Sequence, residues 1–225
     1  LALLRRGYLP KQGWVNAFAA VLASVFADEG LLLLDPRTPA VGRLAAPVHR
    51  DALVRADVYD EAVRRGARAI ERAGEAVQVR PRDGCSLSFF HPEGPDGPRH
   101  RLVRCTGGWT HPSGEVVTTA ELLASLEREP LTFSTSALLR VILQDALLPT
   151  LGYVAGPGEA RYLRQLPPLY AACDMQPSPV VPRARIVVVD QKSRGHLEQL
   201  GVSCGALADR EALLRRLAKG DEGPR

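Results

Sequence analysis

Residues 134–183 constrain this chain more than any other stretch, because their punctuation suits a helix, a short strand, a glycine turn and a second helix in that order. Residues 137–148 place Leu138, Leu139, Val141, Ile142, Leu143, Ala146, Leu147 and Leu148 around most of a helical wheel. A helix apolar on nearly every side is a buried one. This one also carries Arg140, Gln144 and Asp145, whose polar heads need partners or water. Pro149 stops it. Residues 151–155 then run extended into Gly156-Pro157-Gly158, and Glu159 falls in the first turn of the next helix, where the dipole favours a carboxylate. Such a junction exposes free backbone N–H groups and suits an anion. A plain tight turn is the competing reading. GPGEAR is neither a GxxxxGK[ST] phosphate loop nor a dinucleotide fingerprint, since Arg161 stands where a third glycine would be.

The amino-terminal part reads as half of an α/β repeat. Residues 11–27 repeat Trp14, Phe18, Val21, Leu22, Val25 and Phe26 at helical spacing, and Asp28-Glu29-Gly30 ends them. The unbroken run of residues 31–34 predicts a strand buried on both faces, as in a parallel sheet. Asp35 then lies where open α/β sheets bind ligands, or simply turns the chain ahead of Pro36. Residues 37–46 read as a loop. Residues 47–76 read as a long helix with Asp60–Arg64 and Glu61–Arg65 at i,i+4 spacing.

From residue 77 the period changes. Residues 77–80, 86–90 and 100–105 predict strands of a small antiparallel sheet, with the Pro/Gly-rich residues 91–98 as a turn. Residues 109–114 read as a loop, and Thr118 with Glu121 as a capping box for a helix ending at Arg128. Ser134-Thr135-Ser136 reads as the cap of the 137–148 helix, without the G-x-S-x-G elbow of a nucleophile. His91, His100 and His111 lack metal-ligand pairing and read as surface residues. Residues 184–190 predict another buried strand. Residues 193–225, broken by Gly201 and Gly205, predict two short charged helices ending in disorder from residue 220.

With 225 residues, 45% hydrophobic and 24% charged, the chain is long enough for one large or two small domains with a real core. Net charge is +4, and among 29 basic residues only Lys11, Lys192 and Lys219 are lysine. Arginine suits bidentate binding of carboxylate or phosphate. No block of like charge indicates a nucleic-acid surface. No run approaches the roughly 18 apolar residues of a membrane helix, and residues 1–6 are too short for a signal segment. Cys85, Cys105, Cys173 and Cys204 show no CxxC or zinc spacing, so free thiols in a cytoplasmic setting are expected. Cys85 and Cys105 could face each other across a hairpin.

The wording of residues 134–183 resembles the bacillithiol-biosynthesis cysteine-adding enzyme family, BshC. The resemblance rests on Ser134, Leu139, Arg140, Gln144, Leu147, Leu148, Pro149, Thr150, Gly156, Pro157, Gly158, Glu159, Tyr162, Gln165, Leu166, Pro179, Pro182 and Arg183. Val141 departs from it, since the family usually has proline after the arginine. GLLLLDPRTPAVGRLAAPV continues the likeness. The match runs over about residues 28–219 and is expected to cover a middle or carboxyl-terminal fragment of the family protein. The implied fold is α/β, with a partial Rossmann-like parallel sheet core over residues 1–46 and 131–192. A helix and small antiparallel sheet are inserted over residues 47–130. Residues 193–225 form a helical tail that resembles the start of the family's coiled coil.

By the same resemblance the protein is a cytoplasmic ligase joining cysteine to glucosaminyl-malate, with ATP and Mg²⁺ the expected means of activating the cysteine carboxylate. No HxGH or KMSKS-like motif accompanies that expectation. The implied substrate- and nucleotide-binding residues are Ser134, Arg140, Gln144, Gly156, Pro157, Gly158, Glu159, Tyr162 and Arg183. Arg140 and Arg183 would grip a carboxylate or phosphate, and the backbone of residues 156–158 would cradle an anion. Glu159 and Gln144 would take an amine or hydroxyl, and Tyr162 would pack on a ring. Each could instead be an internal bond between helices. No catalytic acid, base or metal ligand is legible. The alternative is a truncated, non-catalytic nucleotide-binding or assembly module of the same fold. The partners expected are small molecules, neither nucleic acid nor membrane, and a second copy through the helical tail.

Overall fold

Helical periodicity and capping lay out the amino-terminal third. In the computed structural model, which describes residues 1–112, 114–184 and 186–218, the chain starts with α1 (Ala2–Gly7) and α2 (Trp14–Val25). The apolar spacing of residues 14–25 therefore does form a helix, but Trp14 and Phe18 stay exposed. Residues 31–34 correct the sequence reading. They are extended and unpaired, and Leu32 is 92% exposed. A buried strand needs a hydrogen-bonded neighbour on each edge, and no described segment pairs with this run. Asp35 takes its plainer role, its carboxylate accepting from the Arg37 N–H at 2.8 Å in an Asx turn.

The next helix starts earlier than its proline suggests. Thr38 caps α3 (Pro39–Val54), with its hydroxyl accepting from the Val41 N–H and Pro39 at the first helical position. Pro47 thus sits inside a helix, and residues 39–46 are not a loop. The long helix expected over 47–76 is two helices, divided at Arg55, where α4 (Ala56–Arg72) begins. Arg64 pairs with Asp60 as the spacing requires, at 3.2 Å, whereas Glu61 pairs with Arg68 rather than Arg65.

The larger sheet is antiparallel. Its order is β4 (Val116–Val117), β3 (Gly108–Thr110), β2 (His100–Cys105), β1 (Cys85–Phe90) and β5 (Phe133–Thr135). Residues 77–80 are irregular and contribute no strand, while residues 108–110 and 133–135 do. In this register Cys85 faces Val103 rather than Cys105, and all four cysteines are free. Thr118 and Glu121 make both halves of the capping box that starts α5 (Thr119–Arg128). Leu53, Phe90, Leu102, Trp109, Leu122, Leu126 and Phe133 form the core around this sheet.

A second core gathers Ala52, Tyr59, Ala62 and Val63 with Leu138, Leu139, Val141 and Ile142 of α6 (Ala137–Leu147). It is completed by Ala155 of β6 (Tyr153–Ala155), Leu163 of α7 (Pro157–Leu163), Leu166, and Leu169 and Tyr170 of α8 (Pro167–Ala172). At Gly66 the α4 backbone lies directly against the Gln165 carbonyl, with no room for a side chain. Among the described residues the Rossmann-like parallel arrangement is limited to one pair, β6 with β7 (Val180–Pro182), in which Ala155 faces Pro182. The fold is thus mixed α/β with a small parallel sheet, not a parallel core.

The chain divides into two compact units, Leu1–Pro182 and Arg183–Arg225. The second contains α9 (Gln191–Gln199), capped by Asp190, a 3-10 turn over Cys204–Ala208, and α10 (Arg210–Ala218). Gly201 has φ near +61°, which explains why α9 stops there. No strand forms over residues 186–190. Ile186 and Val188 are over four-fifths exposed, which corrects the buried-strand expectation, while Arg185 and residues 219–225 lie outside the described residues. Among the described residues the tail is two separate nine-residue helices, and no coiled coil is formed.

Candidate functional site

Alternation along β6 sets the site. Ala155 points into the core, Val154 is exposed, and Tyr153 points back toward α6. Gly156 caps α7, Pro157 takes its first position, and Glu159 falls in its first turn. Arg140, one turn into α6, reaches this junction. Its Nη2 lies 2.7 Å from Glu159 Oε1 and 2.8 Å from each of the Tyr153 and Tyr162 hydroxyls. Both tyrosines also donate to Glu159 Oε1, at 2.6 Å and 3.0 Å. One carboxylate oxygen is therefore ringed by a guanidinium and two phenols.

Burial raises the Glu159 carboxyl, but the Tyr153 and Tyr162 hydrogen bonds and the Arg140 charge outweigh it and hold the pKa below its usual value. Burial and acceptance by Glu159 push Tyr153 up to about 12, and burial raises Tyr162 as well. At neutral pH the group is a charged pair between two neutral phenols. It is not sealed, since the Arg140 and Glu159 side chains are 42% and 31% exposed. An accessible pair of this kind can exchange its internal partner for a zwitterion, carboxylate to Arg140 and ammonium to Glu159. Beside it, Gly158 has open space where a Cβ would stand, so the backbone of the turn can be approached.

The structure thus brings Arg140, Glu159 and Tyr162 together with Gly156, Pro157 and Gly158. Gln144 lies one turn further along α6, half-buried, with no side-chain hydrogen bond among the described residues. Ser134 is elsewhere, on β5, where its hydroxyl meets His91 Nε2 at 2.9 Å. Arg183 is exposed and belongs to the second unit. Tyr153 was missed by sequence reasoning. Its signal is its position two residues before a core-facing alanine, which places both on one face of the strand.

The histidines also differ from expectation. His91 and His111 are buried, not surface residues. The His91 Nδ1–H donates to the Gly97 carbonyl at 2.9 Å, which leaves Nε2 to accept from the Ser134 hydroxyl. Burial lowers its pKa. This Ser134–His91 link ties the 91–98 turn to β5, with Arg37 bridging the Phe133 and Pro95 carbonyls beside it. His49 is buried on Ser88 at 2.8 Å. Among the described residues no group of three or more His, Cys, Asp or Glu is arranged to hold a metal ion. No helix among them is long and apolar enough to cross a membrane.

Residues 1–184 match the family described as bacillithiol biosynthesis BshC, N-terminal Rossmann-like domain. A protein of Koribacter versatilis named "Putative cysteine ligase BshC" is 34% identical over 197 residues, which is 88% of this chain and 36% of that protein. A Heliobacterium modesticaldum protein of the same name is 34% identical over 91% of this chain and 38% of its own length. A Salinibacter ruber protein, again of that name, is 28% identical over 92% and 37%. The chain thus spans just over a third of the length of these relatives.

Proposed function

This chain belongs to the BshC family of bacillithiol biosynthesis through its Rossmann-like domain, and on that premise we propose that it is part of a cytoplasmic ligase joining cysteine to glucosaminyl-malate. The observation that carries the reading is the accessible Arg140–Glu159 pair beside the carboxyl end of a parallel strand, where α/β proteins bind ligands. Cysteine is a small zwitterion, and the pair offers one charge for each of its ends.

In this reading Arg140 holds the cysteine carboxylate and Glu159 the ammonium. The Tyr153 and Tyr162 hydroxyls, which bond both members of the pair, hold the two side chains in place. ATP, with Mg²⁺ on its phosphates, would supply the activation that turns the carboxylate into an acyl donor. The residues fit such a co-substrate in that nothing lies within 4 Å of where a Gly158 Cβ would stand, so a phosphate could approach the backbone there. The amine of glucosaminyl-malate then forms the C–N bond as the activating group leaves the carboxyl carbon, and the nitrogen loses a proton. Gln144 is assigned to a substrate hydroxyl. Ser134 and Arg183 carry no step in this scheme.

A second reading, a non-catalytic module of the same fold, is favoured by one feature: the Arg140 group satisfies itself internally. The two part on one experiment. Low-molecular-weight thiols are profiled by mass spectrometry in source cells whose own gene is deleted or carries Arg140→Gln. Deletion is expected to remove bacillithiol and accumulate glucosaminyl-malate, and Arg140→Gln to lower bacillithiol by roughly tenfold or more, the worth of one charge-assisted contact. An unchanged profile on deletion overturns the ligase. Loss on deletion with full retention in Arg140→Gln removes this site from the chemistry and leaves the module reading for residues 134–183.

A further inference from the structure

A cavity of about 530 Å³ lies apart from the Arg140 group, between the irregular segment after α4, strand β1 and the start of α6. Its volume is that of a small-molecule site. Four arginines line it: Arg80, Arg82, Arg99 and Arg101. Among the described residues none of the four has an ion-pair partner. The one acid in the lining, Asp60, is already committed to Arg64 at 3.2 Å and Arg104 at 3.5 Å. Four positive charges therefore share one concave surface without internal compensation.

The arrangement of two of them adds to this. The Arg99 and Arg101 guanidinium carbons each lie 4.8 Å from the centroid of the same Phe89 ring. The ring attracts both cations, and an anion beside them would offset the repulsion between the two like charges it gathers. A second set of donors belongs to residues of the same lining. Ser136 caps α6 by accepting from the Leu139 N–H, and the N–H of Arg140 bonds the Ser136 carbonyl. The amides of Ala137 and Leu138, whose residues line the cavity, are the helix donors left over. Thr135 contributes to the same wall. Apart from Gln78, the rest of the lining is mostly apolar, including Val63, Val79 and Leu87.

We propose that this cavity binds a diphosphate group. A single carboxylate would answer one guanidinium, whereas a diphosphate carries several charges and enough oxygens for several arginine forks and the α6 amides at once. The site uses none of the Arg140, Tyr153, Glu159 or Tyr162 side chains and holds whichever reaction the family performs. Two sources carry this chemistry, free pyrophosphate and a nucleoside diphosphate, and the apolar wall decides between them.

The test is calorimetric titration of the purified chain with sodium pyrophosphate, ADP and adenosine, repeated at higher salt. Pyrophosphate is expected to bind, more weakly as salt rises. Arg99→Gln/Arg101→Gln should weaken it by about tenfold or more, while Arg140→Gln leaves it unchanged. Equal affinity for pyrophosphate and ADP supports recognition of the diphosphate alone; ADP tighter by about tenfold supports a nucleoside on the apolar wall. No binding of pyrophosphate at millimolar concentration, or adenosine binding as well as ADP, overturns the proposal. So does full binding by the double variant, or loss of binding in Arg140→Gln, which would move the ligand to the other site. If the double variant melts early, Arg80→Gln/Arg82→Gln, at two exposed positions, is read in its place by the same criteria.

Discussion

Replacing Gly66 by alanine opposes two effects whose sizes can be compared. Gly66 is mid-helix in α4, where alanine is intrinsically favoured by about 1 kcal/mol. An added Cβ would overlap the Gln165 carbonyl oxygen and lie 3.0 Å from its carbon and 3.4 Å from its Cα. All three are backbone atoms of the turn joining α7 to α8. That turn is held by the Gln165 N–H on the Tyr162 carbonyl and the Leu166 N–H on the Leu163 carbonyl, each at 3.0 Å, so it cannot rotate aside. Helix and turn must instead separate by on the order of 1 Å, which loosens Ala62 and Val63 from Leu166, Leu169 and Tyr170. Overpacking costs about 3 kcal/mol at the upper end of its range. After the propensity gain, a net loss of about 2 kcal/mol remains, or roughly 4–8 °C in Tm for a unit of this size. Urea unfolding followed by tryptophan fluorescence suits the measurement, because Trp109 is buried within the first unit. The midpoint should fall with the m-value unchanged. Gly158→Ala is the control, since its Cβ meets nothing and its stability should hold or rise by up to about 1 kcal/mol. A Gly66→Ala protein as stable as the parent would refute the close-packing argument.

Two further outcomes concern pH. Burial, with the Arg37 charge adding to it, lowers His49 to about 4. Between its unfolded value near 6.5 and that value the unfolded chain binds a proton that the folded chain refuses, so stability is fully present above pH 6.5 and drains away toward pH 4, by about 3 kcal/mol. Denaturant midpoints across that window should fall with acid in the parent and stay flatter in His49→Gln; equal slopes would show that another group is responsible. Glu159 behaves as a depressed carboxyl, so its contribution exists above the unfolded value of about 4.3 and is lost as pH falls through the folded one. Glu159→Gln should therefore be about 1 kcal/mol less stable at pH 7, a small figure because the pair is partly exposed. The gap should close under acid, and a gap that persists at pH 3 contradicts the ionic account.

Local rules were the legible part of this protein. Thr118 with Glu121, and Ser136 ahead of an apolar run, announced two helix starts that the structure confirms, because a cap is made within four residues of chain. Likewise β1 and β2 and the GPGE turn were readable from alternation and glycine. Pro47 misled, because a proline inside a helix removes one N–H that neighbouring packing can outweigh. The runs at 31–34 and 186–188 misled for a different reason. Apolar content predicts burial, but a strand exists only when another backbone accepts its hydrogen bonds, and that partner is written elsewhere in the chain. The buried positions of His91 and His111 were hidden for the same cause, since nothing local distinguishes a histidine facing solvent from one packed on the sheet.

At the candidate site the division is sharpest. The sequence alone determined that Arg140 would ride on a buried helix and that Glu159 would open another beyond a glycine turn, because both follow from periodicity and capping within short segments. Only the tertiary structure decided that these two meet, with Tyr153 and Tyr162 closing the ring, and that Ser134 turns instead to His91. It also assembled four arginines from two separate stretches around one cavity, two of them over Phe89. The physical reason is that a local preference is a property of a few adjacent residues, whereas a charge is made useful by what folding brings within about 3–5 Å of it, and that distance is set by packing between elements far apart in the chain.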